Sequence, residues 1–217
     1  TADMLREGTT HRTSAQLSSE IDELGATLTA QTQFGSTYTQ IAASGLAGTA
    51  EKLLELTADI LQNPAFAPEE LEKYKKRELS ELEQERSDPN FLAEEQMYRA
   101  LYGNFPAAIT SPTASSIQGL TAEQMRKFHG QYYLPGNALL GVVGDFDAKQ
   151  MTALLEKHLG GWKGQPFTAP KIGTLAPAAP FKIYLVDRPD SVQTNILAGE
   201  LTVPRNNPDY IPLRVMN

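Results

Sequence analysis

The sequence predicts a fold that mixes α and β structure. Residues 27–44, TLTAQTQFGSTYTQIAAS, alternate β-branched and aromatic residues with small polar ones around Phe34-Gly35-Ser36, which is typical of an antiparallel hairpin. Residues 137–146, NALLGVVGDF, form a nearly continuous apolar run that predicts a buried strand. The segments around these two carry apolar residues at helical spacing and capping residues at their starts, so we expect helices there.

The predicted helices begin and end at recognisable residues. Thr13 or Ser14 caps a helix that buries Leu17, Ile21 and Leu24 and ends at Gly25. Residues 105–119, with two prolines and many small side chains, are predicted to be a loop. The other helices are predicted over residues 49–62, from Pro68 through a long charged segment to Asp88, over 88–103, from a capping box at Thr121 and Gln124, and from Asp147 through residue 161.

A segment rich in proline and glycine separates this part from the end of the chain. Residues 160–180 hold four prolines and four glycines, and we interpret them as an interdomain linker. Residues 181–189 and 191–201 are predicted as the first strands of a new unit, and Asn207-Pro208 as the start of a helix. Because the chain starts at Thr1 inside a helical pattern, we expect it to be an interior piece of a longer polypeptide.

Composition and charge exclude several functional classes. The 217 residues carry 19 basic and 26 acidic side chains, a net charge of -7, and the basic residues are interspersed with Glu, so nucleic acid is not an expected partner. The sequence contains no run of 18 apolar residues, so membrane insertion is not expected either. The absence of cysteine excludes disulfides, thiolate metal sites and a cysteine nucleophile.

Candidate chemical groups are scattered along the chain. Asp3, Glu7 and His11 recur at helical spacing, but Gly8-Thr9-Thr10 interrupts the helix before His11, so we do not expect them to bind a metal together. His129 and His158 stand alone and are interpreted as structural or solvent-facing. Asp145 follows the apolar run and is interpreted as a turn residue. No nucleophile-elbow, phosphate-loop or dinucleotide motif is present.

An ordered series of segments resembles the pitrilysin/insulinase family of zinc peptidases, the inverzincins that include mitochondrial processing peptidase. The series is EGTTHRTSAQLSSEIDELGATLTAQTQFGSTYTQIAAS, LLELTADILQNPAF, ELEKYKKRELSELEQERSDP, LYGNFP, LTAEQMRKFHGQYYLPGNALLGVVGDFD and LEKHLGGW. The resemblance implies an α+β, metallohydrolase-like domain in which an antiparallel sheet is covered by helices on one face. Two such domains in tandem form half of a clamshell chamber for extended peptides.

The resemblance also implies where the domains lie. Residues 1–161 would be most of one peptidase-like domain without its opening strands. Residues 162–180 would be the Pro/Gly-rich linker, and residues 181–217 the start of a second, similar α+β domain.

The family's zinc motif is degenerate in this chain. Active members carry HxxEH shortly before a Gly-Thr like Gly8-Thr9, and in that register the general base falls on Ala2 and the second His on Asp3. The distant third ligand falls on Glu81 and a supporting Glu on Tyr74, whereas the first His would precede Thr1. Alanine cannot transfer a proton, so no catalytic residue is predicted, and Asp3 and Glu81 are not expected to hold a metal.

We therefore expect a non-catalytic domain of a zinc metallopeptidase. It would close the chamber and help to bind extended peptide substrate beside an active half, either fused to it or a separate subunit. No cofactor is expected in this chain, and zinc is expected in the active half. The alternatives are an active metal-dependent peptidase with an unusual carboxylate site at Asp3 and Glu81, and a peptide-binding or assembly module without a peptidase partner. Substrate-binding residues stay open, and similarity to long two-unit bacterial members favours the bacterial periplasm or cell envelope.

Overall fold

The computed structural model describes residues 1–176, 181–187, 189 and 192–216, and it combines helices with a small antiparallel sheet. Short 3-10 helices cover Asp3–Arg6, Ala47–Thr49, Pro106–Ala108 and Pro135–Asn137. The helices and strands of the described residues are α1 (Ser14–Glu23), β1 (Thr27–Gln31), β2 (Gln40–Ser44), α2 (Ala50–Gln62), α3 (Pro68–Ser87), α4 (Pro89–Tyr102), α5 (Ala114–Gln118), α6 (Ala122–Tyr132), α7 (Ala148–Leu159) and α8 (Tyr210–Met216). The predicted mixture of α and β structure is confirmed.

Local signals at both ends define α1. The Thr13 side chain accepts a hydrogen bond from the backbone N–H of Gln16, and the Gln16 side chain accepts one from the backbone N–H of Thr13. At the other end Gly25 has φ +58°, a left-handed conformation that glycine adopts without strain. The chain therefore reverses at Gly25 and enters β1 at Thr27, as the sequence predicts.

Strands β1 and β2 form the predicted hairpin. Their register pairs Thr27 with Ser44 and Gln31 with Gln40, without an interruption between. The backbone N–H of Ser36 donates to the carbonyl of Gln33, and Gly35 at φ +79° supplies the positive φ that this tight turn needs. One face of β1 buries Leu28 and Ala30, while the other side chains of β1 are exposed.

The described contacts divide the chain into two units. The first contains residues 1–81 and 113–170, and the second contains residues 82–112 and 171–217. The core of the first unit consists of Met4, Leu5, Leu17, Ile21, Leu28, Ala30, Leu56, Ile60, Phe66, Leu71, Tyr74 and Met125. In the second unit, Ser111 donates to the buried carboxylate of Glu95.

The predicted domain boundaries at residues 161 and 180 follow a change in composition and stay predictions. Residues 177–180 of the predicted linker lie outside the described residues. Among the described helices, none combines the length and the apolar character that crossing a membrane requires.

The predicted buried strand over residues 137–146 is wrong for this structure. Leu139 and Val143 are fully exposed, and the segment forms no strand. A strand forms where a neighbouring strand completes its backbone hydrogen bonds, and no described residue pairs with this segment. The apolar composition shows that the segment has side chains suited to a core, but a strand also requires a neighbouring strand, which composition does not provide.

The prediction of strands over residues 181–189 and 191–201 is also wrong for the described part of those segments. Residues 181–187 and 192–201 carry no strand assignment, and Phe181 and Val192 are exposed. As in the preceding segment, no described strand completes their hydrogen bonds. Residues 188, 190 and 191 lie outside the described part of the chain.

The predicted loop over residues 105–119 contains more structure than expected. It includes the 3-10 helix Pro106–Ala108 and helix α5, which Thr113 caps by accepting a hydrogen bond from the backbone N–H of Ser116. The small residues that suggested a loop therefore include a capping box.

Candidate functional site

Residues 2–6 form a turn, here called the degenerate turn, in the core of the first unit. The family register puts the last two residues of the zinc motif on Ala2 and Asp3. Met4 and Leu5 are completely buried and Ala2 is 1% exposed. The 3-10 helix Asp3–Arg6 packs against β1 and α2. The methyl group of Ala2 thus fills core volume at the position that the family register predicts for the general base, and it offers no group that can accept or donate a proton.

Asp3 contacts a tyrosine of α3. The Tyr74 hydroxyl donates a hydrogen bond to Asp3 Oδ2 at 3.3 Å, and the Tyr74 side chain is buried. Burial raises the pKa of Tyr74 well above its usual value, and the charges of Asp3 and Glu78 raise it further. Tyr74 therefore stays protonated and keeps its hydrogen bond to Asp3 across the physiological pH range.

The charge of Asp3 acts on the carboxyl group of Glu78 in α3. Burial raises the pKa of Glu78, and the neighbouring charges of Glu81 and Asp3 raise it further. Glu81, which the family register assigns as the third ligand, lies three residues further along α3 and is exposed. The register overlooked Glu78, although the four-residue spacing of Tyr74 and Glu78 puts both on one helical face.

This donor set does not fit a zinc ion. Zinc sites in proteins use deprotonated ligands with imidazole or thiolate donors, usually four in tetrahedral geometry. Here Asp3 accepts a hydrogen bond from the Tyr74 hydroxyl, and burial favours the protonated form of Glu78. Among the described residues, no group of three or more His, Cys, Asp or Glu side chains could hold a metal.

Replacing Tyr74 by phenylalanine is expected to lower the free energy of unfolding by about 0.5–1.5 kcal/mol, because the half-buried carboxylate of Asp3 loses its donor. Urea unfolding of both proteins measures the difference. Tyr98→Phe is the matched control, since it removes a hydroxyl from an exposed side chain and should change stability by less than about 0.5 kcal/mol. Equal losses in the two variants would contradict a specific role for the bond to Asp3.

The structure does not bring Asp3, Glu7 and His11 together. Gly8 has φ +110°, and the adjacent Thr9 forms a bridge with Pro64, so the chain leaves its helical turn before His11. Glu7 accepts a hydrogen bond from Ser14 Oγ, whereas His11 Nδ1 lies 2.7 Å from Asp59 Oδ1. The predicted break at Gly8 is confirmed, and His11 belongs to an ion-pair network with Asp59.

The two remaining histidines pack between helices of the first unit. His129 Nε2 lies 2.7 Å from the carbonyl oxygen of Leu61, and its ring stacks on Tyr133 at 4.9 Å between centroids. Burial lowers the pKa of His129, partly offset by the carbonyl of Leu61, so the neutral ring is favoured. The carbonyl of His158 accepts a hydrogen bond from Gln62. Asp145 is exposed at a bend.

The hairpin of β1 and β2 has exposed strand edges and an exposed connection. Each strand pairs only with the other among the described residues, so each keeps one outer edge with unpaired backbone groups. Phe34 and Tyr38, in the connection between the strands, are 56% and 70% exposed. Sequence reasoning identified the hairpin but named no substrate-binding residue on it.

Two family models match the chain. The first, "Insulinase (Peptidase family M16)", matches residues 2–112, which include the degenerate turn, the hairpin and all of α3. The chain belongs to peptidase family M16, the insulinase family. The second, "Peptidase M16 inactive domain", matches residues 119–217. The resemblance to this family as a non-catalytic domain is therefore confirmed.

Individual relatives agree with the family models. An uncharacterized zinc protease of Rickettsia felis is 32% identical over 161 residues, which are 74% of this chain and 39% of that protein. The solved peptidase M16 inactive domain from Pseudomonas fluorescens superposes with a TM-score of 0.70 at 26% identity and covers 80% of this chain and 42% of that one. The first half of the periplasmic protease PqqL from Escherichia coli gives a TM-score of 0.68 at 17% identity, over 80% of this M16 chain and 39% of that half.

This M16 chain thus spans less than half of each of these relatives. The likeness to PqqL, at 17% identity, concerns the fold alone. The family is established for this chain, and its fold is a mixed helical one with a small antiparallel sheet.

Proposed function

We propose that this chain is the non-catalytic part of an M16 metallopeptidase assembled from two halves, and that it closes the chamber and helps to hold extended peptide beside an active half. The observation that carries the proposal is the state of the degenerate turn. Ala2 fills core volume where the family needs a base, and Asp3 is hydrogen-bonded to Tyr74 instead of being free to bind zinc. A chain with these residues contributes binding surface and support rather than hydrolysis.

Peptide binding is proposed for the hairpin of β1 and β2. An exposed strand edge offers a row of backbone donors and acceptors that an extended peptide can complete as an added strand. The edges of β1 and β2 are unpaired among the described residues, and the buried Leu28 and Ala30 fix the hairpin to the core. A fixed strand binds at a lower entropic cost than a mobile loop, because it is already ordered.

The proposed partner is a chain or domain that carries an intact HxxEH motif and the zinc ion. A relative from Rickettsia felis is named a zinc protease, and a half of Escherichia coli PqqL has a similar fold. By analogy, the chain would work fused to an active half or beside it as a separate subunit. A bacterial periplasm or cell envelope is the compartment we propose, since PqqL is named a periplasmic protease.

Metal analysis of the chain alone and of its complex with an HxxEH-bearing half tests the proposal. We expect no stoichiometric zinc and no cleavage of peptides by the chain alone, and one zinc per complex that disappears when the two histidines of the HxxEH motif in the active half are replaced. Asp3→Ala should leave the zinc content of the complex unchanged.

One tightly held zinc in the chain alone, lost in Asp3→Ala or Glu78→Gln, would instead favour an active peptidase with a carboxylate site. Failure to associate with any HxxEH-bearing half encoded beside the chain, with peptide binding retained, would favour a binding or assembly module.

A further inference from the structure

We propose that the hairpin, residues 27–44, selects extended peptide segments that carry no charged side chain, with aromatic or aliphatic residues facing Phe34 and Tyr38. The inference rests on the proposed peptide-binding function and adds the chemical class of the substrate segment. Three independent features of the hairpin support it: its lack of charge, its ordered aromatic tip and its unprotected strand edges.

The longest uncharged stretch of the sequence includes the hairpin. Residues 24–50 contain no Asp, Glu, Lys, Arg or His, although 21% of the whole chain is charged and a stretch of this length would carry about six charged residues at that average. Residues 31–38 and 42–48 in this stretch are all exposed. Exposed polypeptide normally carries charge, so its absence on this surface indicates contact with an uncharged partner.

The strand register defines the face that the hairpin offers. Leu28 and Ala30 of β1 turn to the core, and the alternate positions turn away from it. The exposed cross-strand pairs are Thr27 with Ser44, Thr29 with Ala42, and Gln31 with Gln40. All six side chains are uncharged and none is large and apolar. This face can approach a peptide closely along its whole length, but it supplies no counter-charge.

Hydrogen bonds at the tip of the hairpin order the backbone that carries Tyr38. The hydroxyls of Thr32 and Ser36 both donate to the carbonyl of Tyr38 at 3.0 Å, so the backbone that carries this residue is ordered on both sides of the turn. The next residue, Thr39, is hydrogen-bonded at 3.2 Å to the hydroxyl of Tyr133, which directly follows α6. Phe34 and Tyr38 are nevertheless largely exposed. Exposed aromatic side chains are suited to be binding anchors, since they bury a large area on contact and have few rotatable bonds to order.

The edges of β1 and β2 lack the features that protect natural edge strands. Such edges usually carry a charged side chain, a proline or a bulge. Neither strand contains a charge or a proline, and the five cross-strand pairs run without a bulge. Backbone pairing at such an edge accepts any sequence, so the side chains around it decide which segments bind.

The physical cost of desolvation selects against charge. A Lys or Glu side chain of the peptide that lies against the hairpin loses water and gains no partner of opposite sign, which is unfavourable. The net charge of -7 attracts basic peptides at a distance, but salt screens that attraction beyond about 8–10 Å. At contact distance the desolvation of the peptide's charge therefore outweighs the long-range field of the chain.

Binding of three fluorescein-labelled peptides of equal length to the full chain, measured by fluorescence anisotropy, tests the inference. One peptide alternates Thr with Val and Phe, and the other two carry Lys or Glu at the Thr positions. We expect the neutral peptide to bind at least about tenfold more tightly than either charged one. Phe34→Ala and Tyr38→Ala should each weaken the neutral peptide about fivefold or more, which is typical of aromatic anchors.

A charge placed on the hairpin should change the selectivity. Gln31→Glu is expected to weaken the neutral peptide and to favour the Lys peptide over the Glu peptide, with a stronger salt dependence than the unmodified chain shows. Gln84→Glu, at an exposed position of α3, is the matched control and should leave the ranking of the three peptides unchanged. Circular dichroism checks that each variant retains its helices.

Three results would overturn the inference in distinguishable ways. Equal binding of the neutral, Lys and Glu peptides would refute the selection against charge and leave the proposed peptide binding intact. Binding of none of the peptides would refute both. Neutral-peptide binding that is insensitive to both Phe34→Ala and Tyr38→Ala would remove the hairpin tip from the binding surface.

Discussion

Replacing Arg12 by alanine is expected to lower the free energy of unfolding by about 3–5 kcal/mol, the cost of leaving a buried carboxylate without its cation. Arg12 Nη1 lies 2.7 Å from Asp59 Oδ2 and Nε lies 2.9 Å from Glu20 Oε1, and the guanidinium also contacts Glu55. The side chain of Asp59 is 6% exposed and that of Arg12 is 15% exposed. Arg12 thus joins the segment after the degenerate turn to α1 and α2.

Urea unfolding at neutral pH measures the effect. Lys73→Ala is the control, because Lys73 pairs with Glu70 at 2.8 Å but is 69% exposed, and exposed pairs contribute at most about 1 kcal/mol. A loss for Arg12→Ala no larger than that of the control would contradict the role assigned to the network.

The same network predicts how stability depends on acid. Burial alone would raise the pKa of Asp59, but hydrogen bonds from His11, Thr9, Asn63 and Arg12 outweigh it, and the pKa lies below its usual value. An Asp whose pKa is lower in the folded state contributes stability above its unfolded pKa of about 3.9, and this contribution is lost as the pH falls through the folded pKa. The unmodified chain should therefore lose stability more steeply below about pH 4 than Arg12→Ala does.

The parts of the fold that sequence reasoning predicted correctly depend on local signals. The capping box of Thr13 and Gln16, the positive φ at Gly25 and the turn at Gly35 each act within a few residues of the chain. Such signals can be read without knowing the rest of the fold. The positions of α1 and the hairpin followed from them.

The parts that were wrong or missed depend on contacts between distant residues. The apolar run over 137–146 was assigned as a buried strand, but a strand needs a partner that composition does not provide. Arg12 and Asp59 are 47 residues apart, and neither shows a local pattern that marks the pair. These features depend on how the chain folds back on itself, which spacing along the sequence does not determine.

The family register selected Glu81 rather than Glu78, and this too depends on a feature of the fold that spacing along the sequence does not determine. Counting along the family register gives one position on α3, and each residue advances an α-helix by about 1.5 Å. Glu78 and Glu81 therefore share a helical face but are about 4.5 Å apart along the axis, and the structure has Glu78 half-buried and Glu81 exposed. The sequence predicted the helix and the acidic character of this region, but it could not predict which carboxylate along the helix is half-buried.

Restoring the family's general base by Ala2→Glu is expected to destabilise the protein by about 3 kcal/mol at neutral pH, because a carboxylate at this position loses its hydration. Ala2 is 1% exposed near the fully buried Met4 and Leu5, and its neighbour in the chain is the acidic Asp3, whose charge also acts on Glu78. Burial and these like charges should raise the pKa of the introduced carboxyl, so the loss should shrink as the pH falls and the group becomes protonated.

Ala2→Gln separates the effect of charge from the effect of size. Both variants add the same volume to a packed region, which costs about 1–3 kcal/mol by itself. At neutral pH, Ala2→Glu should be less stable than Ala2→Gln by about 1.4 kcal/mol for each unit by which folding raises the pKa of the introduced carboxyl. The stabilities of the two variants should converge near pH 4, where this carboxyl is largely protonated in both states. Urea unfolding across this pH range gives both curves. Coinciding curves, or a gain of zinc-dependent cleavage in Ala2→Glu, would show that the position still tolerates a charge. The expected result would instead mean that the turn, by packing Ala2 into the core, no longer accommodates the base that its family uses for hydrolysis.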